Sequence, residues 1–371
     1  MRYNARIINN VNHKTIKLEN VESEKANILQ ETLKSAGGEA SVAGETSDLS
    51  VKSIDVMLHG TIVQFRQAIS MLKLQHDLAA VIREIEAVLN SSEQFPYREY
   101  ELGRYRLTIK PSRTLIMGIL NITPDSFSDG GKHNTMDEAL RHVDQIIRDG
   151  ADIIDIGAES TRPYGASKIT AQDEIDRLLP VLDKVLKISS VPVSVDTYKA
   201  SVAREALKLG AHIVNDIWGL QNDPDMAAVV AEYGAPVIIM HNQNGTDYQR
   251  DVMSHICKFL RNSIEIGTAA GIQPDKFIVD PGPGFGKVQA DNLMVMARLE
   301  ELKSLGCPIL LATSRKKFIG ETLGLMVDER VEGTGATVAL GISKGANIIR
   351  VHDVKPMARI AKMTDAMLSV K

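Results

Sequence analysis

Residues 114–131 read TLIMGILNITPDSFSDGG. The first seven have the composition of a strand buried on both faces. From Asn121 the chain breaks at once into Asn, Thr, Pro, Asp, Ser and a Gly pair, the chemistry of a loop that leaves a strand end carrying several oxygen ligands. One such loop is an ordinary surface turn. Its meaning depends on whether other strand ends look the same.

They do. Residues 136–148 have a helical pattern ending at Gly150, and 151–156 form the next apolar run, which leaves into Gly157-Ala-Glu-Ser-Thr-Arg-Pro-Tyr-Gly165. A helix over 171–187 precedes a strand at 191–195 that terminates in Asp196, and a helix over 199–209 precedes a strand at 211–214 that terminates in Asn215-Asp216. The same alternation gives helix 226–233 and strand 236–240, then helix 252–270 and strand 277–279 running into Asp280-Pro-Gly-Pro-Gly-Phe-Gly-Lys287. It continues with helix 292–305 and strand 307–311, helix 334–344 and strand 346–349 running into Arg350-Val-His352, and a closing helix to 368. Alternating units imply a parallel sheet covered by helices, and eight of them in this length predict a closed (β/α)8 TIM barrel of the α/β class. A doubly wound open sheet would carry a Gly-rich fingerprint after its first strand, which is absent. The run 282–287 is not a P-loop, because Pro281 stands where the first Gly belongs and Val288 where Ser or Thr is required.

The first ninety-odd residues stand apart as a small α+β module, assigned to 1–96, with the barrel at 97–371. A strand is expected at 3–8, a helix at 23–36 with Ser23 as cap and Gly37-Gly38 as stop. Short strand-like pieces follow within 40–59, then a strongly helical pattern over 63–89 broken by Gln75-His76-Asp77, and a linker at 90–96. Residues 97–110 alternate apolar and basic side chains and read as a strand or hairpin.

Composition bounds the function. Of 371 residues, 43 are Lys or Arg and 47 are Asp or Glu, a net charge of −4, and aromatics are 4%. That balance offers neither a basic field nor a stacking surface for nucleic acid. Two cysteines outside any CxxC spacing suit a reducing compartment. No apolar run approaches membrane-spanning length and the start lacks a signal-peptide core, so a cytoplasmic protein without a membrane partner is expected.

A barrel collects its strand-end loops on one face. That face would unite Asn121, Thr161, Arg162, Asp196, Asn215, Asp280, Lys316, Arg350 and His352. Any one of them can be a turn former or cap, and Asp196 could cap the following helix. Together they are costly to leave unpaired. Arg162, Arg350, His352 and the Asn121 oxygen suit an anion such as a diphosphate with its magnesium. Asp196, Asn215, Asp280 and Lys316 suit a flat heterocycle with alternating donors and acceptors, such as an aminopyrimidine edge.

The segment from about 97 to 371 resembles dihydropteroate synthase, in the pterin-binding family. The resemblance rests on MGILNITPDSFSDGG (117–131), DIIDIGAESTRP (152–163), VSVDTYKA (193–200), IVNDIWG (213–219), MHN (240–242), DPGPGFGK (280–287), LLATSRKKFIG (310–320), EGTGATVA (332–339) and RVHDV (350–354). It implies a β/α barrel that joins 4-aminobenzoate to 6-hydroxymethyl-7,8-dihydropterin diphosphate, releasing diphosphate and forming 7,8-dihydropteroate through a pterin cation. It further implies Mg2+ as cofactor with Asn121 as its ligand, Arg350 and His352 on the diphosphate, and Asp196, Asn215, Asp280 and Lys316 around the pterin, packed by Ile217 and Met240. Phe127, Ser128, Thr161, Arg162, Pro163 and Phe285 would line the 4-aminobenzoate side. Asp196, Lys316 and Arg162 would be catalytic, the assembly a homodimer, and sulfonamides competitors of 4-aminobenzoate. Two departures stand out: Tyr164 is an extra residue where the family runs STRPGA, and Pro283 replaces an aliphatic residue. A methyl-transferring pterin enzyme would share the ring site but needs no diphosphate clamp. A non-catalytic pterin binder would be expected to lose the anion-holding residues, all of which are present.

Overall fold

The structure is a computed structural model that describes residues 13–42, 53–73, 75–93, 97–122, 132–159, 169–248 and 251–370. Contacts divide the chain into two units, Met1–Gln94 and Phe95–Lys371. The strand expected at 3–8 lies outside the described residues.

In the first unit β1 (His13–Glu22) leads directly into α1 (Ser23–Ser35), followed by β2 (Glu39–Val42), β3 (Ser53–Thr61), α2 (Ile62–Leu72) and α3 (Ala79–Glu93). The sheet is antiparallel with order β1-β3-β2. Three helices supply a compact apolar face: Ala26, Leu29 and Leu33 from α1, Phe65, Ile69 and Leu72 from α2, and Ile82, Ile85 and Leu89 from α3, against Ile16, Val56 and Leu58 of the sheet. Two local expectations are corrected, and the expected interruption of the long helical pattern is present. Glu22, not Ser23, precedes the first turn of α1, and it makes no side-chain cap. The long helical pattern is two helices, because Gln75-His76-Asp77 interrupts it and a 3-10 turn spans His76–Leu78. The linker expected at 90–96 begins late, since α3 runs on to Glu93. Thr61 caps α2 in a reciprocal box with Gln64, satisfying two end donors at once.

The second unit opens with a hairpin, β4 (Arg98–Leu102) and β5 (Tyr105–Ile109). Then come β6 (Leu115–Asn121), α4 (Lys132–Arg148), β7 (Ile153–Gly157), α5 (Ala171–Ile188), β8 (Val193–Asp196), α6 (Ala200–Leu209), β9 (Ile213–Asp216) and α7 (Met226–Tyr233). The series continues with β10 (Val237–Met240), α8 (Val252–Ala269), β11 (Phe277–Asp280), α9 (Gln289–Ala297), β12 (Leu310–Leu311), α10 (Lys317–Leu323), α11 (Val331–Lys344), β13 (Ile348–Val351) and α12 (Val354–Ser369). The eight parallel strands β6 to β13 form one sheet with order β11-β10-β9-β8-β7-β6-β13-β12. A parallel bridge between Val279 and Ile309 joins its two ends, so the sheet is a closed (β/α)8 barrel. Helix α10 was not anticipated; it is a short insertion between β12 and α11, too brief to show a clear period.

Two apolar layers hold the barrel. The outer one lies between strands and helices and includes Ile154, Ile156, Val193, Val195, Val237 and Val279. The inner one contains Leu115, Met117, Ile153, Ile213, Ile238, Ile278, Leu310 and Ile348 together with Tyr100, Leu102, Leu107 and Ile109 of the hairpin. The barrel residues of this inner layer lie at or near the starts of their strands, so the hairpin covers the N-terminal end of the barrel. The opposite end is left for chemistry.

Helix α4 approaches β6 closely at Gly118, where an added Cβ would stand 2.4 Å from Cγ2 of Ile146 and 3.2 Å from Cγ2 of Val354. Gly118→Ala is therefore expected to destabilise the barrel by about 1–3 kcal/mol through overpacking, read as a lower denaturation midpoint with unchanged slope; an unchanged midpoint would refute the close approach.

Candidate active site

Side chains along a strand alternate between faces, so the inward residue two places beyond each inner-layer apolar residue lies nearer the strand's C-terminal end. After Ile153 comes Asp155, after Ile213 Asn215, after Ile238 Met240, after Ile278 Asp280, and after Ile348 Arg350. On β8 the corresponding pair is Ser194 and Asp196. Five of these six strands thus place a polar group at one level of a buried barrel.

Arg350 is the centre of the group. Its Nε donates to Oδ2 of Asp155 at 2.6 Å and its Nη2 to Oδ2 of Asp196 at 2.6 Å. Asn215 Nδ2 also donates to Asp155 Oδ2, at 3.0 Å. Asp155 is wholly buried, and Asp196 and Asn215 are 7% and 4% exposed. Only one oxygen of each carboxylate is used: Oδ1 of Asp155 and Oδ1 of Asp196 are buried and accept from no described group. One guanidinium cannot neutralise two carboxylates. Burial raises the pKa of Asp196 to about 7; Arg350 opposes the rise and Asp155 adds to it. Asp196 does not cap α6, whose Ala200 N–H is accepted by Asp223 Oδ2 at 2.8 Å.

A second group borders the first. Asp280 Oδ1 accepts from the Gly282 N–H at 2.7 Å, and burial raises its pKa against the pull of nearby Lys316. Lys316 Nζ donates to the Pro283 carbonyl and lies 4.5 Å from the centre of the Phe285 ring, a cation–π contact. Burial pushes this ammonium down to about 8 while Asp280 holds it up. The loop between β11 and α9 reaches these positions through left-handed glycines at Gly282, Gly284 and Gly286, and a Cβ at Gly282 would fall 2.1 Å from the His241 carbonyl oxygen.

His352 is anchored by Ser314, whose Oγ accepts its backbone N–H at 3.1 Å and contacts Nδ1 at 3.0 Å. Arg315, at φ 58, makes a two-point pair with Asp353 at 2.9 and 2.7 Å and ties the β12 loop to the end of β13. Asn121 is half-buried at the end of β6, paired with Gly157. Ile217 and Met240 are buried. The turn carrying Ile217 is shaped by Asp216, whose oxygens accept from Trp218 and Leu220 at 2.8 and 2.7 Å. Phe127, Ser128, Thr161, Arg162, Pro163 and Tyr164 lie outside the described residues.

Sequence reasoning missed four groups. Asp155 is hidden inside the apolar run of β7, although a lone acid in a doubly buried strand should have signalled an internal partner. Ser314 and Lys287 sit inside recognised motifs without a role. Lys199 joins Glu159 and Glu174, the latter at 2.5 Å, and Tyr198 donates to Glu159 at 3.0 Å. Their sequence separation gave no clue to the cluster.

The family model for pterin binding enzymes matches residues 117–352. The chain is 55% identical over 257 residues to a dihydropteroate synthase of Bacillus subtilis, covering 69% of this chain and 90% of that protein. It is 51% identical to one of Clostridium beijerinckii, covering 69% and 95%. A solved Clostridium difficile dihydropteroate synthase in the presence of pteroic acid aligns with a TM-score of 0.68 at 50% identity, over 72% of this chain and 98% of that one. A Xanthomonas albilineans dihydropteroate synthase with 4-aminobenzoic acid aligns with a TM-score of 0.70 at 38% identity, over 75% and 100%. A Yersinia pestis dihydropteroate synthase in complex with a sulfonamide drug aligns at 0.68 and 42%, over 73% and 100%.

The chain belongs to the pterin binding enzyme family. Its activity is that of a dihydropteroate synthase: it joins 4-aminobenzoate to 6-hydroxymethyl-7,8-dihydropterin diphosphate to give 7,8-dihydropteroate and diphosphate in folate biosynthesis.

The raised pKa of Asp196 has a sign that can be checked. A ligand donating to this carboxylate binds its ionised form, so binding releases a proton once the free group is protonated. Affinity for a pterin should therefore fall by roughly tenfold per pH unit on the acid side of neutrality and level off above it, with Asp196→Asn weak and flat across the range. Calorimetric titration at several pH values tests this; a flat profile for the unaltered enzyme would refute it.

Proposed function

We propose that the aminopyrimidine edge of the dihydropterin is held by Asp155, Asp196, Asn215 and Asp280, with Lys316 at the ring's acceptor side and Ile217 and Met240 packing its faces. The observation that carries this reading is the pair of buried carboxylate oxygens, Asp155 Oδ1 and Asp196 Oδ1, that accept from no described group. A pterin offers a ring N–H beside an amino group, the donors such a pair lacks. Hydrogen bonds to charged groups of this kind contribute about 1.5–3 kcal/mol each, enough to select the ring over isosteres without the donors.

Arg350 and His352 hold the diphosphate, and Arg350 serves both stages: its guanidinium balances the two carboxylates before the ring arrives and offers its donors to the leaving group afterwards. The Asn121 amide oxygen fits a magnesium ion brought by the diphosphate, since Mg2+ is commonly bound through one or two side-chain oxygens, substrate phosphates and water. When bound, the ion supplies charge neutralisation to the departing diphosphate. Phe285 forms one wall for 4-aminobenzoate, and the family resemblance assigns Phe127, Ser128, Thr161, Arg162 and Pro163 to the same subsite. The C–O bond to diphosphate breaks first, the ring carries the positive charge, and the arylamine then attacks and loses its proton. Asp196 stabilises that cation, Lys316 orients the ring, and Arg162 assists at the second substrate. Sulfonamides compete at this second subsite.

The enzyme works in the cytoplasm as a homodimer. Cys257 and Cys307 are both free thiols, which suits a reducing compartment. Leu293 and Met294 on α9, Leu323 on α10 and Leu340 on α11 are exposed apolar residues on mutually packed helices, a surface of the kind that pairs with a second copy.

Asp196→Ala should lower turnover by about a hundredfold or more, because the cationic ring loses a preorganised counter-charge; near-normal single-turnover rates would refute the role. Arg350→Ala should weaken diphosphate binding more than it weakens a pterin without diphosphate, and equal losses would count against the clamp. Met294→Lys with Leu340→Lys should convert a dimer to a monomer in sedimentation. Sedimentation of residues 95–371 beside the intact chain would show whether the first unit contributes.

A further inference from the structure

Lys287 closes the glycine-rich loop after β11, yet it is only 6% exposed. Its Nζ donates to the carbonyls of Gly282 and Phe285, each at 3.0 Å, and contacts His241 Nδ1 at 2.8 Å. An ammonium has three protons, and these three acceptors use them all. Burial first, and Lys287 second, push His241 down to about 2. His241 is therefore neutral, its Nδ1 accepts from Lys287, and its Nε2–H is left to donate to His255 Nδ1 at 3.1 Å.

The loop needs this support. Three residues at positive φ leave its backbone with little intrinsic preference for one shape. Its outer leg is held by Tyr248, whose hydroxyl donates to the Gly286 carbonyl at 2.8 Å, and by Asn292, whose Oδ1 accepts the Gly284 N–H at 2.6 Å. The carbonyls on either side of the Pro283-Gly284 tip are held by Lys287. That tip presents the Pro283 carbonyl and the Phe285 ring, both to Lys316.

We propose that Lys287 is a positioning residue for the reaction: by tying the Gly282 and Phe285 carbonyls to the buried His241, it fixes the loop that sets Phe285 against Lys316 and so shapes the 4-aminobenzoate subsite. The proposal rests on the assignment of Phe285 to that subsite. The three hydrogen bonds of Lys287 reach none of the carboxylates on β7, β8 and β11, and its only link to them is the charge attraction of Asp280, so the loss of the clasp falls chiefly on the second substrate. A purely structural lysine would lower stability and leave the ratio of substrate affinities alone.

The test compares Lys287→Met, Lys287→Gln and Phe285→Leu in the full chain, measuring KM for 4-aminobenzoate, pterin diphosphate affinity without the second substrate, and thermal midpoint. Lys287→Met should raise KM for 4-aminobenzoate by about tenfold or more while changing pterin diphosphate affinity by less than about threefold. Lys287→Gln keeps two N–H donors for the two carbonyls and should hold KM within about threefold of the unaltered enzyme. Equal weakening of both substrates, or a lowered midpoint with KM unchanged, overturns the proposal. If Lys287→Met does not fold, a folded Lys287→Gln variant with a tenfold higher KM overturns it equally, and one with near-normal KM supports the two-carbonyl clasp. Phe285→Leu separates the two layers of inference. If it leaves KM for 4-aminobenzoate unchanged, the subsite assignment fails; if it raises KM while Lys287→Met does not, the assignment stands and the positioning role fails.

Discussion

One guanidinium between two buried carboxylates governs the barrel's open end. Arg350 on β13 links Asp155 on β7 and Asp196 on β8, and Asn215 on β9 joins through Asp155. Strand β13 pairs with β6, and β6 with β7, so the cluster crosses the junction between the last and the first strands of the barrel. These four side chains can meet only once β13 has paired with β6 beside β7. Removing one member of such a buried set typically costs about 3–5 kcal/mol, because the remaining charge is left without compensation. The site therefore depends on the complete fold, and the inner layer of Ile, Leu and Met, plugged by the β4–β5 hairpin, provides the stability that lets the other end remain polar.

Much of this architecture was legible in the sequence because its signals are local. Short apolar runs ending in Asp, Asn, Arg or His, each followed by a helical period, need no long-range information to be recognised. The barrel and the residues Asp196, Asn215, Asp280, Lys316 and Arg350 followed from that repetition and from the motifs. Asp155 did not, because it lies within an apolar run rather than at its end; its role depends on Arg350, 195 residues away. Lys287 was quoted as part of a motif, but the acceptors that define it include His241 on another strand-end loop. The break after α2 was legible at Gln75-His76-Asp77, whereas the continuation of α3 to Glu93 was not. Helix α10 is too short to have produced a period of its own.

The charge balance of the site explains why these residues can be both structural and functional. Two buried carboxylates with one direct cationic partner form an environment that favours any further donor or positive charge. Under the proposed assignment, a pterin edge supplies donors and a pterin cation supplies charge. The protein keeps that preference in its fixed groups, so little reorganisation is needed when charge develops on the ring. Burial raises the pKa of Asp196, with Asp155 adding to the rise and Arg350 opposing it.

Lys316 and Lys287 extend this principle with opposite geometry. Both are lysines pushed down in pKa by burial and held up by Asp280, and each donates into the backbone of one loop. Lys316 keeps its stem against Gly284 and its head beside Phe285 and Asp280, where the ring and the second substrate would meet. Lys287 spends all three donors on the protein. The glycines of the 281–287 segment make such close approach possible, since a Cβ at Gly284 would lie 3.0 Å from Lys316 Cδ and one at Gly286 2.6 Å from Gln243 Cγ. A backbone free enough to wrap two cations is also free enough to adopt other shapes. The loop thus gains its access to both lysines from glycine and its single shape from the hydrogen bonds those lysines make.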